Sequence, residues 1–340
     1  MATVRARLAR ATLSSAILGS LLIGGTAGGA AAAACIPTGA LDRDGTPLTA
    51  RVVNPTAPVT GTIDATGCEV GVYFSRAGRV SGAEVFGARY YGVLVDGNLA
   101  DVNVDVSNSS FHDIGEVPRT NVRHGQGVAY RSFDGGSATG TASGNRVWGF
   151  QEAGMNMTGP GSTATFTGNR IIGPGPQPVI EQNGIQVIFG AHGIVRGNEI
   201  SGMSFTGPDF APSAGILVVG GPGYNKPYTY GAVLVDNVIT GSDIGIAVNE
   251  IEVNSRPSPL PISTRIEGNV IRNTELNNVA GFGQKGYQAG IVVHSNADQI
   301  VGNTISGNGY DKAFCGGAAV CLPIDTKHEI DPIVSGNILQ

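Results

Sequence analysis

Beyond its N-terminal leader this chain has no sustained 3.6-residue apolar period, and only 14% of its 340 residues are charged. The first absence excludes helical bundles and helical repeats, which need an apolar stripe on every helix. Its 53 glycines point the same way, because glycine costs about 1 kcal/mol per interior helix position relative to alanine. No Gly-x-Ser-x-Gly elbow is present and nothing has metal-ligand spacing. Gly220-Gly221-Pro222-Gly223 is a turn rather than a phosphate loop, since no Lys-Ser/Thr follows and no helix begins there. Cysteine is scarce too: Cys35, Cys68, Cys315 and Cys321 are the whole complement.

The leader itself is legible. Arg5, Arg7 and Arg10 form a positive n-region, residues 11–24 are apolar and small, and an alanine run leads to Ala32-Ala33-Ala34 before Cys35. Residues 1–34 therefore read as a secretory signal, too short to span a membrane, and the chain is expected to be secreted. A lipidated Cys35 is disfavoured, because the apolar core ends well before it and no leucine sits just ahead of it. Without the leader's three arginines the formal charge moves from −5 to −8. An acidic chain lacks the basic face that nucleic acid requires. In an exported chain the cysteines are expected as disulfides; three connectivities are open, and placement at the two ends favours Cys35–Cys68 and Cys315–Cys321.

What the chain does have is a repeat. Gly92-Val93-Leu94-Val95, Gly127-Val128-Ala129-Tyr130, Gly154-Met155-Asn156-Met157 and Gly184-Ile185-Gln186-Val187 begin a series of seven that ends at Gly290-Ile291-Val292-Val293. A second series of seven runs from Gly144-Asn145-Arg146-Val147 to Gly336-Asn337-Ile338-Leu339, with Asn108-Ser109-Ser110-Phe111 as a looser copy ahead of it. The period, mostly about 30 residues, lies in the solenoid range. Each unit has two or three short strands with Asn or Gly at the corners, where a propeller blade would need four antiparallel strands.

These motifs resemble the right-handed parallel β-helix repeat proteins, the pectate-lyase-like superfamily, over about residues 70–340. The resemblance implies an all-β solenoid of roughly 8–10 coils. Residues 35–86 are the N-terminal cap and first coil, continuous with the β-helix of residues 87–340. The recurrent asparagines read as a structural ladder, each amide bonding its equivalents above and below, with asparagine also tolerating the left-handed backbone of a corner. Uneven insertions at 113–126, 173–183, 202–214, 220–230, 250–263 and 273–289 are expected to wall a groove.

In the Gly-Ile-x-Val-x strands the second and fourth positions face the core and the third and fifth face outward. The residue two before each glycine is also expected to face outward. Polar side chains on these positions concentrate in the middle coils, where Arg131, Glu152 and the loop residue His124 are the candidate catalytic groups. Arg123, Asn156, Gln182 and Gln186 are candidate substrate ligands, with Tyr130, Trp148 and Phe189 as sugar-stacking platforms. Known members of the superfamily often act on acidic polysaccharides. A polysaccharide lyase is therefore expected first, with Arg123, His124 and Arg131 as a local positive cluster, and a glycoside hydrolase second. Hydrolysis needs carboxylates about 5–9.5 Å apart; Glu152 and Asp243 lie three coils apart, roughly 14 Å at the strand spacing, whereas Glu152 and Glu181 are one coil apart. Asp96 and Arg131, one coil apart at the same position, also read as a ladder ion pair, worth under about 1 kcal/mol if exposed; the alternative to an enzyme is a noncatalytic glycan-binding or adhesive β-helix.

No stretch matches the calcium-binding aspartate strands of pectate lyases, the paired aspartates of polygalacturonases or the signature of alginate epimerases. The resemblance thus carries over a fold and a substrate class but no catalytic residue. No cofactor or metal is predicted; calcium is left open, without a ligand cluster. The expected partner is an extracellular polysaccharide, with no nucleic acid, no membrane after signal cleavage, and a monomeric chain.

Overall fold

Each Gly-Ile-x-Val segment forms one strand of a continuous parallel sheet, the first ladder. The computed structural model describes residues 34–208, 212–275, 287–310 and 320–340. The first ladder starts with Pro47–Val53 and Val70–Phe74, runs through Tyr91–Asp96, Gln126–Arg131, Ala153–Thr158, Asn183–Ile188, Ala214–Gly220, Ile244–Glu250 and Tyr287–His294, and ends at Val320–Asp325. Ile36–Leu41 adds an antiparallel strand at its N-terminal edge, pairing with Pro47–Val53. Register follows the repeat: Val93, Val128, Met155, Ile185, Ile216, Ile246 and Ile291 stack on one another, all fully buried.

The glycine that opens each unit is required by close approach. A Cβ on Gly184 would lie 2.5 Å from the carbonyl oxygen of Gly215 and 2.5 Å from Ile200 Cγ2. At Gly215 the same atom would meet Gly245 O at 2.7 Å and Ile239 Cγ2 at 2.6 Å. The glycines of the first ladder are thus the surface on which the isoleucines of the Gly-Asn-x-Ile motif pack, so the two motifs are halves of one contact.

Those isoleucines sit on a third ladder, of which Arg146–Trp148, Glu199–Phe205, Val238–Thr240 and Thr304–Ser306 are members. A second ladder, including Ala138–Ser143, Ser162–Thr167, His192–Arg196 and Gln299–Val301, lies between the first and third in chain order. The chain visits first, second and third ladder in turn and then starts the next coil, so all three are parallel and the interior is one apolar column running from Val59 to Tyr310. This is a parallel β-helix, as expected.

At the corner between the second and third ladders the asparagines do form a ladder. Asn198 Oδ1 accepts the Asn169 N–H and the Asn169 Nδ2–H, each at 2.9 Å, while Asn198 Nδ2 donates to Phe166 O at 3.0 Å and to Asn237 Oδ1 at 3.0 Å. The pattern repeats at Asn145, Asn237, Asn269 and Asn303. Ser109 occupies the corresponding place one coil earlier, donating its N–H to Asn145 Oδ1. The left-handed corner backbone belongs to the residue before the asparagine, with φ of 61° at Gly168 and Gly197 and 57° at Asp236. That corrects the expectation that the asparagine itself turns the corner.

Cys35 and Cys68 form a disulfide with Cα atoms 5.6 Å apart. Cys321 is disulfide-bonded as well; its expected partner, Cys315, lies outside the described residues. The insertions sit at the two borders of the first ladder. Residues 113–125, 206–208 and 212–213 precede its strands, while 221–232 and 251–264 follow them.

Candidate functional site

The outer face of the first ladder carries three stacked rows of side chains. The strand-opening row includes Tyr91, Gln126, Ala153 and Asn183; the central row includes Leu94, Ala129, Asn156, Gln186, Leu217, Ala247 and Val292; the last includes Asp96, Arg131, Thr158, Ile188, Val219, Asn249 and His294. Over these rows lie two cavities of about 790 and 650 Å³. Both are lined by Arg43, Ile188 and Phe189, so they meet at one neck and make one groove along the axis, from Tyr73 to Asp325. At the strand spacing of about 4.8 Å, its nine strands span roughly 38 Å.

The N-terminal half of the floor is polar and internally bonded. Asn156 Nδ2 donates to Gln126 Oε1 at 2.9 Å, Gln126 Nε2 donates to Glu152 Oε2 at 3.0 Å, and Arg43 reaches the same carboxylate oxygen at 3.4 Å. Arg123 pairs with Glu181. Arg131 is 6% exposed and lies between Asp96, at 2.6 Å, and Asp42, at 3.4 Å. Two acceptors are left over: Asn156 Oδ1 and Gln186 Oε1 have no hydrogen-bond partner among the described residues, although both side chains are 3% exposed and line the groove in registered positions of adjacent coils.

The C-terminal half is apolar on its floor, with Ala214, Leu217, Ile244, Ala247 and Val292. Its far end carries His294 against His328, ring centroids 4.9 Å apart, and Tyr287 donating to Asp325 Oδ2 at 3.0 Å. Burial, reinforced by the Asp325 charge, raises the Tyr287 hydroxyl well above its ordinary pKa. Burial and then the neighbouring His328 lower that of His294, favouring the neutral imidazole.

Aromatic rings mark the neck. Lys226 Nζ stands 5.3 Å from the Phe133 ring centroid and 5.7 Å from that of Phe189, and Phe189 lies 6.4 Å from Tyr224. Phe189 has φ of 59°, an outlier for a bulky residue and the kind of local strain that clusters at binding sites. The groove lining holds four cations, Arg43, Arg123, Arg131 and Lys226, against six carboxylates, Asp42, Asp96, Asp134, Glu152, Glu181 and Asp325. Its three arginines are all ion-paired.

Of the residues singled out by sequence, Arg123, Arg131, Glu152, Asn156, Gln186 and Phe189 come together here. Four do not. His124 is 2% exposed, stacked 3.9 Å from the Tyr90 ring and 3.3 Å from Glu116, and it lines neither cavity; burial lowers its pKa against the opposing pull of Glu116. Gln182 is fully buried and donates to Phe150 O at 2.6 Å, because the outward alternation stops one residue before the glycine. Tyr130 is also fully buried, its hydroxyl donating to Val104 O at 2.8 Å. Trp148 lies on the third ladder, stacked on His112 at 4.5 Å under the Arg146 guanidinium. Asp96 and Arg131 form the expected ladder ion pair, and it is buried.

Sequence reading missed Asp42 and Arg43, which arrive from the turn after Ile36–Leu41, and Phe133, Tyr224, Lys226 and His328. Among the described residues no three His, Cys, Asp or Glu side chains are grouped to hold a metal ion.

Residues 62–230 match the family described as right handed beta helix region. A solved structure similar to the chain is the Azotobacter vinelandii mannuronan C-5 epimerase AlgE6 A-module, 14% identical, covering 86% of this chain and 89% of that chain with a TM-score of 0.31. No curated protein matches. The family match over residues 62–230 and the three parallel ladders agree on the fold, a right-handed parallel β-helix, with no specific enzyme family matched.

Proposed function

We propose that this β-helix holds an extended, uncharged polysaccharide along the outer face of its first ladder. The observation that carries this reading is the groove itself, an open channel with an apolar C-terminal floor, aromatic rings at its neck and two unpartnered amide acceptors in its N-terminal floor. A hydroxyl-rich sugar supplies the donors that Asn156 Oδ1 and Gln186 Oε1 lack, and its C–H faces suit Phe189, Tyr224 and Leu217. A polyuronate fits less well: the lining is net acidic, and the arginines that would neutralise a substrate carboxylate already serve Asp42, Asp96, Glu152 and Glu181.

Glycoside hydrolysis is the second reading, favoured by Glu152 and Glu181 lining the same cavity. Each already serves an arginine, Arg43 or Arg123, so both would have to leave that partner to act on a sugar. Secretion, expected from residues 1–34, would bring the groove to extracellular glycans.

The test is affinity electrophoresis of the mature protein through gels containing uncharged glucans, mannans and xylans, or acidic pectate and alginate. Reducing ends and ultraviolet absorbance of unsaturated uronates are followed in parallel. Retardation by an uncharged polymer is expected, weakened about tenfold in Gln186→Leu, as the loss of one hydrogen bond predicts. Retardation by polyuronates alone, or release of unsaturated uronate, would overturn the proposal and restore the lyase reading. Reducing ends from an uncharged polymer would establish the hydrolase.

A further inference from the structure

Away from the groove floor, the interior corner between the first and second ladders near the C-terminus collects three carboxyl groups and no cation. Glu250 and Asp298 are fully buried and Glu329 is half-buried. None of the three is in an ion pair among the described residues.

Register brings them together. Asn249 pairs with His294, so the next residues along each strand, Glu250 and Ser295, are stacked neighbours. Arg265 pairs with Gln299, so Thr264 stacks on Asp298, and the Thr264 N–H donates to Asp298 Oδ1 at 2.8 Å. The Asp298 N–H in turn donates to Glu329 Oε1 at 3.2 Å, and the Thr229 N–H to Glu250 Oε2 at 3.0 Å. Each carboxyl therefore has one oxygen satisfied by the backbone. The other three, Glu250 Oε1, Asp298 Oδ2 and Glu329 Oε2, are buried with no well-aligned hydrogen-bond partner among the described residues, and so are the hydroxyl oxygens of Thr264 and Ser295, both on fully buried residues. The two hydroxyls lie near enough to the Asp298 carboxyl to favour its ionised form.

Five unpartnered oxygens in one buried corner are a costly arrangement, since buried polar groups are nearly always bonded and buried charges paired. Among the described residues no cation pairs with these carboxyls. Burial, joined by the Glu329 charge, pushes Asp298 up to about 8; burial, joined by the Asp298 charge, pushes Glu250 up to about 8; and burial pushes Glu329 up to about 7.

We propose that this corner binds a calcium-class cation through the free carboxylate oxygens of Asp298 and Glu329 and the hydroxyls of Ser295 and Thr264, with Glu250 adding negative charge from the adjoining coil. Two carboxylates balance a divalent ion. Calcium accepts carboxylate, hydroxyl and carbonyl oxygens in a flexible shell. Bound there, the ion ties the segment carrying Glu329 to the Ser295 turn. His328, next to Glu329, rests on His294 in the groove, so the cation would also hold the far end of the groove in place.

The experiment is thermal unfolding and calorimetric titration of chelator-treated protein with calcium chloride at neutral pH. Saturable binding of one calcium ion is expected. At a calcium concentration one hundred times Kd, the unfolding equilibrium should shift about a hundredfold toward the folded state. Asp298→Asn should abolish the shift; Glu329→Gln, at a half-buried position that tolerates change better, should weaken binding at least tenfold and keeps the test available if the first variant fails to fold. Absence of calcium binding to the parent protein would overturn the proposal, as would a calcium shift that survives undiminished in Glu329→Gln.

Discussion

An Arg131→Ala variant is expected to unfold far below the parent protein, with a loss of about 3–5 kcal/mol, the range for breaking a buried ion pair by removing one partner. The size follows from what the alanine would leave behind. Asp42 and Asp96 are both buried, and each accepts one tyrosine hydroxyl, from Tyr91 at 2.6 Å and Tyr73 at 3.3 Å. Without the guanidinium, two carboxylates would remain in a low-dielectric setting with no cation. Burial works against the Arg131 charge, yet the Asp96 carboxylate holds it more firmly protonated than usual. Asp42 belongs to the turn that follows the N-terminal strand, so the loss should also release the N-terminal wall of the groove. Circular dichroism melts of Arg131→Ala and of the triple variant that adds Asp42→Asn and Asp96→Asn separate the effects. The triple variant should regain much of the stability. An unchanged melting temperature in Arg131→Ala would mean that the arginine is free to act on a ligand and that the ion-paired geometry is wrong.

The second large effect belongs to the asparagine ladder. Asn198→Ala should cost about 4 kcal/mol. It removes the acceptor for two donors of Asn169, and it leaves Phe166 O and Asn237 Oδ1 each short of a donor, all in a buried corner. Each stranded group costs about 1–3 kcal/mol. Asn198→Ser should cost less, because Ser109 already serves at this position, its hydroxyl accepting the Ala83 N–H at 3.1 Å. Thermal melts should therefore rank the parent above serine and serine above alanine. A solenoid couples mainly through neighbouring coils, so amide hydrogen exchange should rise first in the coils of Asn169 and Asn237. Uniform exchange with no loss of melting temperature would show that the ladder is dispensable.

The parts of the molecule that could be read from sequence are those governed by alternation. Ile185 and Val187 fall inward and Gln186 outward because a strand has a period of two, and the same rule, applied consistently, puts Tyr130 in the core at the fourth position of its unit. At that position the ring is sealed from any sugar. Gln182 was misplaced for a related reason: alternation holds only within the strand, and the strand opens at Asn183. The glycines were legible as a pattern but their cause was not, since the carbonyl of Gly215 approaches Gly184 only when two coils stack.

The groove walls were less legible still. Arg43 meets Glu152 across 109 positions of sequence, and nothing in the local spelling of Asp42-Arg43-Asp44 marks that contact. The insertion at 220–230 was visible as a loop, but the placing of Lys226 between Phe133 and Phe189 depends on how two loops fold toward each other. The apparent positive cluster of Arg123, His124 and Arg131 dissolved for the same reason. The partners Glu181, Glu116 and Asp42 lie 58, 8 and 89 positions away.

The most direct measurement of the central claim is hydroxyl-radical footprinting with mass spectrometry, with and without the uncharged polysaccharide that retards the protein most strongly. A chain lying in the first-ladder groove should lower oxidation at Phe133, Phe189 and Tyr224 and leave Trp148, on the third ladder, unchanged. Protection of Trp148 with no change at the three groove aromatics would place the glycan on another face and contradict the account.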